Sequence, residues 1–393
     1  MGGDVPAAVP ALTAQHRSMR IALDAHTIGR RASGNETYVR GLLGGLALQP
    51  GVALTVLLDR NVPTPAGLEA LDVATLRFGH PIPRLTADLS RAGRRWGADL
   101  LHVQYVRPPR SDVPIVTTIH DISFEHFPRL FRPTTRARLR ALVPWSGRRS
   151  AAVITVSEFS RRDLLERYRL DPEAVFVTPE AAEPQFRPVP ALEASRVVRS
   201  LGLPDRFILA VGDLQPRKNL PRLLMAYDLL LQRGVDVPDL VVVGKRAWLD
   251  GEILETVARR RLEKRVRFAG FVPGEALPSL YSSADVFVYP SLFEGFGLPI
   301  LEALACGAPT VTSNVSSMPE VAGDAALLVN PESVEELADA IDRALGDSDL
   351  RAEMIMRGHV RASQFTWERT AAKTVEAYAY ALSAGRARIG SAG

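Results

Sequence analysis

The chain has 393 residues, 46% hydrophobic and 23% charged, the balance of an ordinary globular protein with room for two or three domains. Lys and Arg exceed Asp and Glu by 48 to 44, too diffuse a surplus to support a nucleic-acid partner, though a local basic pocket would still suit an acidic small molecule. One cysteine, Cys306, excludes an internal disulfide, and no run of about 18 apolar residues marks a membrane span.

Residues 1–18 lack the basic start and long apolar core of a signal peptide. They read as a disordered tail, with Met19 as an alternative start and the cytoplasm as the expected compartment. Short apolar runs then alternate with helical patterns. Runs at 20–25, 52–59, 100–106, 115–121, 151–157 and 174–180 read as buried parallel strands. Helices are expected at 36–48 and 158–168, the second N-capped by Ser157. The proline-rich stretch 182–195 reads as a linker. Beyond it, strands are expected at 207–213, 239–245, 266–272, 284–291, 309–314 and 325–330, with helices at 220–232, 299–306 and 334–345. Residues 385–393 read as a second disordered tail. This pattern implies two doubly wound α/β domains, 19–185 and 186–364, with ligand in the crevice outside the carboxyl ends of the strands.

The segment 290–314, PSLFEGFGLPILEALACGAPTVTSN, carries the most chemistry. Pro299 suits the first turn of a helix. The amides of Phe296, Gly297 and Leu298 would then stand unpaired at its positive end, a seat for a diphosphate. Gly295 and Gly297 allow a ligand to approach the backbone. Glu294 and Glu302 frame this seat. Like charge keeps carboxylates from binding phosphate, so they fit hydroxyls instead: Glu302 the nucleotide ribose, Glu294 the transferred sugar. Stabilisation of the helix N-terminus is the alternative for both. Cys306, in an apolar run, reads as a buried small hydrophobe.

In VGDLQPRKNLPRLL (211–224), Arg217 and Lys218 precede a helix and would neutralise a diphosphate. Taken alone, such a pair is more often a solvated surface feature. His120 and Asp121 stand at a strand end in VTTIHDISFEHF (116–127); a lone histidine there is more often structural than catalytic, and His102 and His126 are read as structural. The loop GRRASGNETYVRGLL (29–43) carries Gly34 and by itself reads as a plain turn. The arginine-rich stretch 127–149 would suit anionic lipid, a solvated helix face being the favoured alternative.

Glu294 and Glu302 have seven residues between them, and the segment resembles the E-x7-E motif of retaining GT-B glycosyltransferases of family 4, the glycogen-synthase-like and mannosyltransferase group. The resemblance extends from about residue 20 to 382. It implies a GT-B fold, two Rossmann-like domains facing a central cleft, with a last helix at 365–384 returning to the first domain. It implies that Glu294 contacts the donor sugar and Glu302 the ribose, and that Arg217 and Lys218, extended by Asn219, clamp the diphosphate. His120 would lie beneath the donor sugar and position it, with Asp121 orienting His120 or helping to activate the acceptor. The Gly34 loop would close over the donor phosphate, although SGN stands where a double glycine is common. Backbone at Phe271 and Val272 would hold the base edge. Ala181 stands where many members have glycine.

The expected partners are a nucleotide-diphosphate sugar and a glycan or lipid-linked acceptor, with no nucleic acid, no cofactor and no metal. The sequence looks most like bacterial mannosyltransferases that use GDP-mannose; UDP-sugar donors, or a nucleotide-sugar epimerase of the same build, are the alternatives. An NAD(P) oxidoreductase would need a G-x-G-x-x-G turn after a first strand, which neither domain has.

Overall fold

The computed structural model describes residues 18–29, 33–62, 70–246 and 250–390. The first domain runs through β1 (Met19–Asp24), α1 (Ser33–Ala47), β2 (Val52–Asp59), β3 (Asp72–Leu76), β4 (Leu100–Gln104), β5 (Ile115–Thr118), α2 (Pro133–Arg149), β6 (Ala152–Thr155), α3 (Glu158–Tyr168) and β7 (Val175–Val177). The second runs through α4 (Ala191–Ser200), β8 (Phe207–Val211), α5 (Leu220–Gln232), β9 (Asp239–Val243), α6 (Gly251–Arg260), β10 (Val266–Gly270), α7 (Leu277–Ser283), β11 (Val286–Tyr289), α8 (Leu298–Ala305), β12 (Thr310–Ser313) and β13 (Leu327–Val329). It closes with α9 (Val334–Gly346) and α10 (Ser348–Ser363), before α11 (Trp367–Gly390).

The strand orders are β3-β2-β1-β4-β5-β6-β7 and β10-β9-β8-β11-β12-β13, and every pair is parallel. Both orders reverse beside the first strand, between β1 and β4 and between β8 and β11. At such a switch point the flanking crossovers leave on opposite faces, and a crevice opens at the carboxyl ends of the strands. The architecture is therefore two Rossmann-like doubly wound domains, the fold class read from the sequence.

Strands β4, β5, β6, β11 and β12 are buried at every residue. Cover on both faces is why they show in the sequence as runs and not as alternation. Edge strand β3 escaped the sequence reading because only Leu76 is buried in it. Helices α3 and α5 have the expected bounds, and Ser157 Oγ caps α3 by accepting from Ser160 N at 3.0 Å. Helix α4 begins at Ala191, so the last residues of the stretch 182–195 are helical and not linker. Helix α11 continues to Gly390, six residues past its expected end, so 385–390 are helical where a disordered tail was expected. Residues 1–17 and 391–393 lie outside the described residues.

Helix α11 packs against α1 and the sheet of the first domain, and glycine makes the approach possible. A Cβ on Gly41 would lie 2.0 Å from the Trp367 indole, and one on Gly45 2.3 Å from the Trp367 carbonyl oxygen. His102 ties the same helix to the sheet: Nδ1 lies 2.7 Å from the Tyr378 hydroxyl and Nε2 2.7 Å from Thr118 Oγ1. Burial pulls its pKa down to about 3, so it is a neutral structural histidine. Among the described residues no helix is long and apolar enough to cross a membrane.

Candidate active site

The loop from Pro290 to Gly297 joins β11 to α8. Gly297 takes φ +110° at the helix start, where a side chain would be strained, and Pro299 occupies the first turn. Among the described residues the amides of Phe296, Gly297 and Leu298 have no protein acceptor. The Phe296 and Leu298 side chains are buried, which leaves the unpaired amides as the polar groups of this segment. Two serines that the sequence reading missed pin it. Ser316 Oγ accepts from Glu294 N at 3.1 Å, and Ser317 Oγ lies 2.9 and 2.7 Å from the carbonyl oxygens of Glu294 and Phe296.

Glu294 meets Arg217 and Lys218 directly. Its Oε2 pairs with the Arg217 guanidinium, and its Oε1 accepts from Lys218 Nζ at 2.7 Å and from the Tyr289 hydroxyl at 2.9 Å. Burial alone would raise the Glu294 pKa; the two cations overcome it and hold the carboxyl down at about 2. Burial lowers the Lys218 pKa, against the pull of Glu294. Arg217 moves the other way, Glu294 outweighing its burial. The loop is laced further by Arg217 Nη1 donating to Phe293 O at 2.6 Å and by Leu292 N donating to Arg217 O at 2.9 Å.

Asn219 does not extend this clamp. Its amide donates to Pro290 O at 3.0 Å and Pro331 O at 2.7 Å, and the residue is buried at φ +59°. Both amide hydrogens are spent on backbone, which makes it a structural tie between loops. Among the described residues the Glu302 carboxyl has one partner, the Tyr281 hydroxyl at 2.9 Å, and burial raises its pKa to about 7. Cys306 is buried, its thiol pushed up to about 12 by that burial. Val272 follows β10 with its side chain buried, beside the exposed Phe271 ring, which Lys245 Nζ approaches to 5.0 Å.

On the first-domain side, His120 follows β5. Its Nδ1 lies 3.3 Å from Glu180 Oε1, its Nε2 3.2 Å from Gln104 Oε1, and the Tyr38 ring stands edge-on at 4.5 Å. The carboxylate on this ring is thus Glu180, which the sequence reading did not single out. Asp121, expected to orient His120, instead has its Oδ1 accepting from Ser123 N at 2.8 Å. Gly34 lies inside the first turn of α1, exposed and without close neighbours, and not in a loop. The preceding residues 30–32 lie outside the described ones.

The two faces meet. A Cβ on Gly295 would stand 2.8 Å from His120 O and 2.9 Å from Asp121 Cβ, so glycine lets these loops touch. Gly295 O accepts from Ser157 Oγ at 2.6 Å and Ser160 Oγ at 3.2 Å. The Glu320 carboxylate accepts from Glu158 N at 2.9 Å and Phe159 N at 3.2 Å, capping α3 from the other domain. Phe293 packs among His126, Phe127 and Phe159. His126, itself 2.7 Å from Asp163 Oδ2, is therefore an interdomain contact.

Comparison with known proteins agrees with this geometry. The model of the family "Glycosyltransferase Family 4" matches residues 32–186, and that of "Glycosyl transferases group 1" matches residues 193–361. O-antigen chain mannosyltransferase B of Escherichia coli is 39% identical over 266 residues, covering 67% of this chain and 69% of that protein. Among solved structures, sucrose-phosphate synthase from Thermosynechococcus elongatus superposes with TM-score 0.75 at 23% identity, over 93% of this chain and 100% of that one. HepE of Anabaena, in complex with UDP and glucose, gives TM-score 0.72 at 21% identity, over 92% of this chain and 99% of that one. With two switch-point crevices facing each other across the Glu294 and His120 loops, the chain belongs to the family 4 glycosyltransferases of GT-B fold.

Proposed function

We propose that this glycosyltransferase moves a mannosyl residue from GDP-mannose to a hydroxyl of a glycan or lipid-linked acceptor, with retention and without a metal ion. The observation that carries a nucleotide-diphosphate donor is the Glu294 cluster: two partly buried cations held by one buried carboxylate, beside the unpaired amides at the start of α8. A diphosphate entering there exchanges one anionic partner for another. Arg217 and Lys218 turn to the phosphates, and Glu294 is left to accept hydrogen bonds from the sugar. The bond from the anomeric carbon to the acceptor oxygen forms as its bond to the diphosphate breaks, on the same face, and the hydroxyl proton leaves with the diphosphate. Fixed cations and helix amides favour the charge on that leaving group. They do the work a divalent ion would otherwise do.

Mannose rests on the E. coli relative named as a mannosyltransferase. The complex of HepE with UDP and glucose favours a second reading, a UDP-sugar donor. A thermal-shift panel of GDP, GDP-mannose, UDP and UDP-glucose, with and without EDTA, separates them, because a ligand of the folded state raises the melting temperature. Stabilisation by the guanine nucleotides that survives EDTA is expected. A response to UDP compounds alone replaces the donor, and no response to any of them removes the reading. Retention is then read from the anomeric coupling in the product. The reading includes a cytoplasmic enzyme with peripheral contact to anionic lipid through 127–149, where Arg132, Arg138 and Arg140 are exposed on or before α2. Equal sedimentation with anionic liposomes of wild type and an Arg136→Glu, Arg138→Glu, Arg140→Glu variant would end that part.

A further inference from the structure

Glu180 lies between β7 and α4, where the chain leaves the first domain. It is only 6% exposed, and among the described residues no hydrogen bond or ion pair reaches it except from His120 Nδ1 at 3.3 Å. A buried carboxylate with a single partner costs free energy, which directs attention to what that partner gains. The other ring nitrogen, Nε2, stands 3.2 Å from the Gln104 side-chain amide, whose nitrogen is buried without an acceptor. With Nδ1–H given to Glu180, Nε2 carries a lone pair. Half a turn of the Gln104 amide then brings its NH2 to that lone pair and removes the orphaned donor.

The other groups around the ring do not compete for Nδ1. The Tyr38 hydroxyl is 3.1 Å from Thr118 Oγ1. His102 is bonded to Tyr378 and Thr118, and its pKa is held low by burial. Asp121 is turned to Ser123 N. Tyr105, with its ring 5.7 Å from that of His120, has its hydroxyl close to Asp121, Glu180 and Arg217 and stays protonated, burial raising its pKa.

We propose that Glu180 is a positioning residue for sugar transfer: it accepts the Nδ1 proton of His120, so that Nε2 faces the cleft as a hydrogen-bond acceptor for a hydroxyl of the bound sugar. The Gln104 amide stands at that place at the long end of hydrogen-bond range, and a sugar hydroxyl would displace it. The inference rests on the transferase reading above, because a polyhydroxylated ligand is what supplies the donor that replaces Gln104.

Long-range 1H–15N spectra of the full-length protein test it, with the His120 signals assigned by their loss in His120→Ala. The wild type should show the Nδ1–H tautomer at His120. Glu180→Ala should move it to Nε2–H and lower kcat on the order of 100-fold with little change in donor KM, the pattern of a misplaced group acting in the transition state. Glu180→Gln keeps an oxygen for Nδ1–H and should keep the tautomer and most of kcat. A wild-type Nε2–H tautomer overturns the proposal. So does Glu180→Ala with tautomer and kcat unchanged, or with kcat lost and tautomer retained. Should Glu180→Ala not fold, the wild-type spectrum and Glu180→Gln decide. A wild type that turns over no sugar nucleotide defeats the transferase reading and leaves the tautomer result standing as a separate fact.

Discussion

Glu302 lets the proposed donor site be probed without an acceptor. Among the described residues its carboxyl has only the Tyr281 hydroxyl as partner, and burial raises its pKa to about 7 from an ordinary 4.5. Between those values the folded chain holds a proton that the unfolded chain has released, so stability falls as pH rises through the window. The difference, 7 − 4.5 = 2.5 pH units, corresponds to about 3 kcal/mol at about 1.4 kcal/mol per unit. Glu302→Gln keeps the shape and an oxygen for Tyr281 but cannot ionise. In urea unfolding it should match the wild type near pH 4.5 and exceed it by up to about 3 kcal/mol above pH 7. The added stability should come at the expense of binding: a carboxylate that accepts from ribose hydroxyls favours its charged form, so GDP should release a proton near pH 6 from the wild type and none from the variant. Loss of a charged hydrogen bond should weaken GDP about tenfold or more. Parallel pH curves for the two proteins would mean that the carboxyl is not desolvated, and would leave GDP no proton to release there.

Gly295→Ala should lower kcat on the order of 100-fold while leaving GDP affinity intact, because its Cβ forces the Gly295 loop from His120 O and the reacting groups with it; a fully active variant would show that the domains need not touch here. Lys218→Met should lower kcat by roughly 100-fold to 1000-fold through loss of a cation on the departing diphosphate, and unchanged turnover of sugar nucleotide would remove Lys218 from the leaving-group site. Asn219→Ala should cost stability, about 2–4 kcal/mol from two unpaired buried carbonyls and a left-handed backbone position, with donor KM unchanged in the folded fraction. A raised KM at normal stability would return Asn219 to the clamp.

The residues read from the sequence as a donor site were easy to gather because one loop and one helix start hold most of them. Glu294, Gly297, Pro299 and Glu302 form a contiguous pattern, and Arg217 and Lys218, side by side in the chain, both reach Glu294, so an anion seat of helix amides and neighbouring cations shows as a local motif. What lies around His120 has no such locality. Tyr38, Gln104 and Glu180 come from α1, the end of β4 and the exit from β7, and the order of the sheet alone makes them neighbours. The one available hint was position: a Glu after Pro179, just past a strand whose carboxyl end faces the crevice. Asn219 went astray for a different reason. Residue type shows that an amide can reach a phosphate, but only the fold shows that Pro290 O and Pro331 O already use both of its hydrogens. Least readable were Ser157, Ser160 and Glu320, whose partners Gly295, Glu158 and Phe159 lie more than 130 residues away. Ser157 was identified as a helix cap, and it is one, yet the same hydroxyl donates across to Gly295. That double duty joins the two halves physically. The start of α3 is finished only when Gly295 and Glu320 arrive from the second domain, so the cap that orders a first-domain helix also reports whether the Glu294 loop is seated beside His120.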